Sequence, residues 1–356
     1  MLRRVATAAA FASTAYLALK LLERRRAIEL RGRSVLITGG SRGLGLLLAR
    51  EFARHGCRVA ICARSEPELE AARRDLAGRG AEVLATVCDV TDRVRVEDMV
   101  DWVTERFGRI DVLVNNASII QVGPMETMTH DDYAAAMAVN FWGSVHCTLA
   151  VLPQMRARRE GRIVNITSIG AKVSIPHLLP YSAAKFAILG FSEGAHAELA
   201  KDGVVVTTVV PGLMRTGSPV NALFKGREAR EFTWFSLGDA LPLTAMSAER
   251  AARRIVEATR RGEAQVTLSW QARALGLVHD LMPGATAELL GVIGRALPRA
   301  AGADRAAVRG MELSTPLSPS PLTALMNRAA REYNQFSGDA RPAPDHARKV
   351  GLGLER

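Results

Sequence analysis

The stretch SVLITGGSRGLGLLLAREFARHG, Ser34 to Gly56, decides the fold. Ser34 to Thr38 reads as a short strand, a helix-length apolar run begins at Leu46, and Thr38-Gly39-Gly40-Ser41-Arg42-Gly43-Leu44-Gly45 joins them. Glycine is needed where backbone turns tightly, approaches a pyrophosphate, or lets a helix pack on a sheet; the helix N-terminus then offers free N–H donors to phosphate. A glycine triplet alone is weak evidence. Its strand–turn–helix setting raises it considerably.

Six more strand-like runs follow: RVAIC (Arg58 to Cys62), EVLATVCDV (Glu82 to Val90), DVLVNNA (Asp111 to Ala117), RIVNITS (Arg162 to Ser168), VVVTTVVP (Val204 to Pro211) and QVTL (Gln265 to Leu268). Helix-length stretches separate them. Runs that are apolar throughout, with no alternation, indicate a sheet covered on both faces. The expected fold is α/β: a doubly wound, Rossmann-type sheet of seven parallel strands with helices on both faces. Ligands bind at the carboxyl ends of such strands. At the end of the second run Arg64 stands where an NAD-selective site usually has a carboxylate. With Arg42 it offers charge for a 2′-phosphate, so NADP(H) is preferred over NAD(H), the alternative being two solvated surface arginines. Asp89 and Val90 end the third run, and Asn115, Asn116 and Ala117 the fourth. They suit adenine and backbone contacts, and equally suit structural turns.

Ser168 closes the fifth run. Tyr181 and Lys185, four residues apart, share one face of a helix, and Asn140 lies upstream in the long helix after Asp131. A phenol titrates near 10, and a neighbouring ammonium lowers that value, which makes tyrosine a usable acid or base nearer neutrality. Tyr181 is expected to protonate a carbonyl oxygen as hydride arrives, with Ser168 hydrogen-bonding the same oxygen as charge develops there.

These residues together resemble the short-chain dehydrogenase/reductase family, whose pattern joins TGxxxGxG, NNAG, an active-site Asn, a Ser and YxxxK. Here they are Thr38 to Gly45; Asn115, Asn116 and Ala117 with Ser118 in place of glycine; Asn140; Ser168; and Tyr181 with Lys185. Pro211-Gly212 and Thr216 match the family segment that touches the nicotinamide and its amide. The resemblance covers residues 31–270, about two thirds of the chain. It implies that Lys185 also binds the nicotinamide ribose, that Asn140 holds a water relaying protons to Lys185, and that the chain forms a homodimer or homotetramer through the helices near Asp131 to Ala157 and Tyr181 to Lys201. A non-catalytic nucleotide-sensing or nucleotide-binding protein of the same fold is the alternative. It has no need of an intact Asn140, Ser168, Tyr181 and Lys185.

Two appendages flank this domain. Residues 1–30 hold VATAAAFASTAYLAL (Val5 to Leu19) and a basic cluster; residues 2–26 are a candidate membrane association segment, with the folded domain on the cytoplasmic side because more positive charge follows the run than precedes it. An ordinary terminal helix or a cleaved signal peptide are the competing readings. Residues 271–356 read as short helices at Leu275 to Gly284 and Thr286 to Pro298, broken by Pro283 and Pro298, then a flexible tail rich in Gly, Pro and Ser. The net charge of +11 is concentrated before Ser34, with no basic stripe interleaved with aromatics on the folded part, so no nucleic acid is expected as a partner. Cys57, Cys62, Cys88 and Cys147 show no metal-ligand spacing and read as reduced, buried fillers, and no metal is expected. Between Thr216 and Ala240, Leu223, Phe224, Phe232, Trp234 and Phe235 suggest an apolar pocket wall for a lipophilic carbonyl or alcohol, with Ile169, Val173, His177 and Leu178 opposite. Packing beneath the loop is the competing reading.

Overall fold

The computed structural model describes residues 26–241, 244–300, 306–313, 315 and 323–336. The apolar N-terminal run lies outside the described residues, as does the chain from Ser337 onward. Seven strands form one parallel sheet: β1 (Ser34–Thr38), β2 (Arg58–Ala63), β3 (Val83–Val87), β4 (Val112–Asn115), β5 (Gly161–Ile166), β6 (Val204–Val210) and β7 (Gln265–Thr267). Their spatial order is β3-β2-β1-β4-β5-β6-β7. The chain winds outward from β1 to β3, then crosses back to β4, so a crevice opens at the carboxyl ends of β1 and β4.

Helices α1 (Gly43–Arg54), α2 (Glu66–Gly78), α3 (Arg93–Phe107), α4 (His130–Met137), α5 (Gly143–Arg158), α6 (Leu179–Leu199), α7 (Glu228–Ala240) and α8 (Ala248–Arg261) cover the sheet. Because strand side chains alternate, Val35 and Ile37 of β1 enter the core shared with α1, α2 and α8, while Leu36 enters the core shared with α3 and α5. That division explains the unbroken apolar runs. α8 illustrates the helix logic: Ser247 caps its start, Ala251, Ala252, Ile255 and Val256 face the core, and Gly262 ends it at φ +66°. Its arginines occupy the opposite side. Among the described residues His130–Arg158 is long and apolar enough to cross a membrane; it is half buried against the domain, as a core helix is.

The C-terminal extension departs from the sequence reading. α9 (Trp270–Leu281) and α10 (Pro283–Ala296) form the two helices, with Pro283 at the start of the second, where its missing N–H costs nothing. Beyond Ala300, however, the described residues are not a flexible tail. Val308–Arg309 pairs antiparallel with Leu223–Phe224, which runs parallel to Gln121–Val122. α11 (Ala324–Glu332) then buries Met326, Ala329 and Ala330, with Tyr333 following, a 3-4-7 spacing that drives one face into the domain. The signal was present in the sequence, behind the Pro- and Ser-rich stretch.

The aromatic residues after β6 also require correction. Phe224, Phe232 and Phe235 are buried with Val122, Leu178 and Ala222 in a small separate core, where Phe224 meets Phe232 and Phe235 edge to face at 5.4 and 6.0 Å. Burying each such side chain stabilises by about 1.5–3 kcal/mol, and this packing holds the segment after β6 in place. They fill a core and do not wall a pocket. Val173 is likewise fully buried.

Candidate active site

A cleft of about 650 Å³ opens at the carboxyl ends of β1 and β4. Thr38, at the last position of β1, is buried, and its Oγ1 accepts from the N–H groups of Asn116 and Ala117, both at 3.0 Å, tying β1 to the end of β4. Asn116 Nδ2 donates to the carbonyls of Thr38 and Gly39 at 3.0 and 3.1 Å, so the amide expected to contact a ligand is the brace of the turn. Gly39 and Gly43 lie at φ +62° and +56°, which glycine adopts without strain. A Cβ on Gly45 would stand 2.1 Å from Gly39 O, so only glycine lets α1 come this close to the turn. Gly39, Ser41, Gly43, Leu44 and Gly45 all line the cleft.

Arg42 and Arg64 line it too, close enough for their charges to interact. Arg42 is paired with the buried carboxylate of Glu68 at 2.8 Å, and Ser41 Oγ donates to the other Glu68 oxygen at 3.2 Å. Burial lowers Arg42 from its ordinary value, the Glu68 charge opposes this, and the like charges of Arg64 and Arg309 add to the lowering. Neither Glu68 nor Arg309 is flagged by any sequence motif. Asp89 and Val90 also border the cleft, Asp89 accepting from Thr91 N and Oγ1 at 3.0 and 2.9 Å.

The chemistry-bearing residues meet in this cleft. Ser168 follows β5, and its Oγ accepts from Gly170 N at 3.0 Å, which fixes the hydroxyl. Tyr181, in the first turn of α6, borders the cleft with Ser168; burial raises its phenol above the ordinary value and the nearby Ser168 hydroxyl pulls it back. Lys185, one turn along, is buried, donates to Ile166 O at 3.0 Å, and holds Nζ 5.5 Å from the centre of the Tyr181 ring. Burial pushes its ammonium down to about 7. The expected lowering of Tyr181 by Lys185 is therefore not what this geometry gives. The amine is itself desolvated and turned to a carbonyl, so it is no permanent cation beside the phenol.

Asn140 sits in Ala138–Trp142, where the helix widens into a π turn between α4 and α5. Such widened turns recur at functional sites. Its Oδ1 accepts from Ser118 Oγ at 2.7 Å and Ile119 N at 3.0 Å, and its Nδ2 donates to Ile119 O at 3.1 Å. The side chain thus fastens the segment after β4 that borders the cleft, and Ser118, standing in place of glycine, is one of its partners. Pro211, Gly212 and Thr216 line the cleft as well. Pro211 O accepts from Ile169 N at 2.7 Å, joining the segments after β5 and β6.

His177 and Leu179 border a second cavity, of about 470 Å³, between Gly123–Glu126 and α10. His177 Nδ1 pairs with the fully buried Glu231 at 2.9 Å, and Trp234 Nε1 donates to the same carboxylate at 2.7 Å. Trp234 and His177 therefore serve a buried polar cluster. The four cysteines are free and buried.

The glycine turn, the cleft behind it and the arginines that line it fit a dinucleotide with phosphates at the start of α1. A family model described as short chain dehydrogenase matches residues 33–223. A relative from Anopheles gambiae, "Dehydrogenase/reductase SDR family protein 7-like", is 40% identical over 262 residues, covering 71% of this chain and 81% of that protein. The "Granaticin polyketide synthase putative ketoacyl reductase 1" of Streptomyces violaceoruber is 36% identical over 183 residues, 51% of this chain and 67% of that one. Among solved structures, a gluconate 5-dehydrogenase from Burkholderia cenocepacia in complex with NADP and tartrate superposes with a TM-score of 0.60 at 28% identity, covering 69% of this chain and 98% of that one.

Proposed function

Since this chain belongs to the short-chain dehydrogenase/reductase family and is an NAD(P)-dependent oxidoreductase, we propose that it interconverts a carbonyl and a primary or secondary alcohol on a lipophilic substrate with NADP(H), Tyr181 acting as general acid/base. The observation that carries the reading is the convergence of Ser168, Tyr181 and Lys185 on one cleft with the glycine turn, Lys185 one helical turn from Tyr181 and held by Ile166 O. When bound, the nicotinamide gives or takes the hydride. In the reducing direction Tyr181 Oη passes its proton to the carbonyl oxygen while Ser168 Oγ steadies the growing negative charge. Lys185, at about 7, is able to take up or release a proton near neutral pH and to return one toward Tyr181. Asn140 holds Ile119 and Ser118 in place beside them.

NADP(H) is favoured because Arg42, Arg64 and Arg309 line one cleft and Glu68 answers Arg42 alone. Lipophilic substrates are favoured because Ile119, Ile120, Val139, Met214 and Leu223 line the same cleft as Ser168 and Tyr181, not because of the aromatic residues first suspected. Exposed Trp142, Leu149 and Phe186 on the widened turn, α5 and α6 support assembly through those helices.

Tyr181→Phe is the test. NADPH consumption over a panel of lipophilic ketones and aldehydes falls by about 10²–10⁴-fold, while NADPH affinity changes by less than about twofold. Turnover at the wild-type rate in that variant refutes Tyr181 as the acid/base, whereas wild-type protein that binds NADPH but consumes none over the panel favours the nucleotide-sensing reading.

A further inference from the structure

Three consecutive residues just after α11, far outside the family-matched span, reach the cleft. The carbonyl of Tyr333 accepts from Gly43 N at 2.8 Å. Asn334, in the left-handed region at φ +56°, donates from Nδ2 to Ser41 O at 2.9 Å and to Glu68 O at 3.1 Å. Gln335 is buried and lines the cleft; its Nε2 donates to Thr216 O at 2.8 Å, and Asn221 Nδ2 donates to its Oε1 at 2.9 Å and its carbonyl at 2.7 Å. Gln335 Nε2 also lies 2.7 Å from where a Cβ on Gly43 would be.

Ser41 and Gly43 belong to the turn after β1, whereas Thr216 and Asn221 belong to the segment after β6. These are different walls of the cleft. Tyr333 and Asn334 hold one wall through its backbone, Gln335 holds the other, and α11 anchors all three through Met326, Ala330 and Tyr333, whose hydroxyl bonds to Glu249. The glycine turn is thereby held in one conformation, as a preorganised site must be.

We propose that Tyr333-Asn334-Gln335 is a clasp that joins the two walls of the dinucleotide cleft and sets how long the dinucleotide stays bound, Asn334 and Gln335 acting as positioning residues. This rests on the dinucleotide reading above. Release requires the walls to part, and parting them breaks the hydrogen bonds of the clasp. Removing the Gln335 side chain deletes two of these bonds, and Asn334→Gly deletes two others while keeping a residue suited to φ +56°.

The experiment measures NADPH dissociation by stopped-flow fluorescence on the whole chain, with the cofactor-free melting temperature alongside. Gln335→Ala and Asn334→Gly are each expected to raise the dissociation rate about fivefold or more, from the usual worth of a hydrogen bond, with the cofactor-free melting temperature within a few degrees of wild type. A dissociation rate within about twofold of wild type in both variants overturns the clasp. So does a faster rate found only where the cofactor-free protein melts correspondingly lower, since that marks general loosening. Wild-type protein that binds neither NADPH nor NADH overturns the dinucleotide reading itself, an outcome distinct from either.

Discussion

A single methyl group at Gly45 tests the glycine turn more sharply than removing a charge. On the wild-type backbone the new Cβ stands 2.1 Å from Gly39 O, 2.9 Å from Gly39 C and 2.6 Å from Asn116 Nδ2. Even a close C–H···O contact keeps carbon and oxygen about 3.3 Å apart, so the Gly39 carbonyl has to retreat by roughly 1 Å. That carbonyl accepts from Asn116 Nδ2 at 3.1 Å, and the retreat breaks the bond. Losing it costs about 0.5–1.5 kcal/mol, and the overpacking adds about 1–3 kcal/mol. At about 2–4 °C per kcal/mol for a domain of this size, Gly45→Ala lowers Tm by about 3–18 °C. Because the displaced turn is the one offered to the dinucleotide, the NADPH Kd rises at least about tenfold, the equivalent of 1.4 kcal/mol. Gly78→Ala is the matched control: nothing lies within 4 Å of its Cβ position, so its Tm moves by less than about 2 °C and its Kd stays put. Thermal melting and a fluorescence titration read both quantities. If Gly45→Ala matches Gly78→Ala in both, the close packing of α1 on the turn is not what admits the cofactor.

Two further outcomes follow from the electrostatics. Arg64→Asp removes the exposed cation at the cleft and supplies a carboxylate, so the NADPH-to-NADH ratio of kcat/KM falls at least about tenfold, a change of about 1.4 kcal/mol; an unaltered ratio dismisses Arg64 as a selector. Asp239 is buried with Oδ2 unpartnered, and burial pushes its carboxyl up to about 8 despite Arg215 and Gly217 N. The unfolded chain ionises at about 3.8, so between the two values the folded state holds the extra proton and stability is lost as pH rises, until it levels above about 8. Asp239→Asn removes this loss: its Tm advantage over wild type widens from about pH 5 to about pH 8, and melting curves that run parallel over that range contradict it.

The sheet was legible because each strand announces itself independently. β1, β2 and β6 begin at the residues where their apolar runs begin, and the ends differ by up to three residues where the chain turns into the cleft, as at Ile166 before Ser168 and Val87 before Val90. The site was legible because strand ends must converge in this topology, so Thr38, Asn116, Ser168 and Thr216 are brought together by the winding alone. What composition misjudged depends on partners distant in sequence. Phe232 reads the same whether it lines a pocket or packs on Phe224, and only the pairing of Leu223–Phe224 with Gln121–Val122 decides it. Ser118 reads as a lapse from glycine until Asn140 appears 2.7 Å away. Arg42 reads as a free cation until Glu68, on α2, is placed beside it.

Asn334 meets Ser41 across 293 positions of chain. During synthesis at about 5–20 residues per second, the glycine turn emerges roughly 15–60 s before the residues that fasten it. The early strands have time to pair, and a nascent chain displays the entire dinucleotide signature long before its cleft is finished. A message truncated between Leu268 and Thr323 would thus yield a product that every sequence motif identifies as complete and whose cofactor walls stand unjoined.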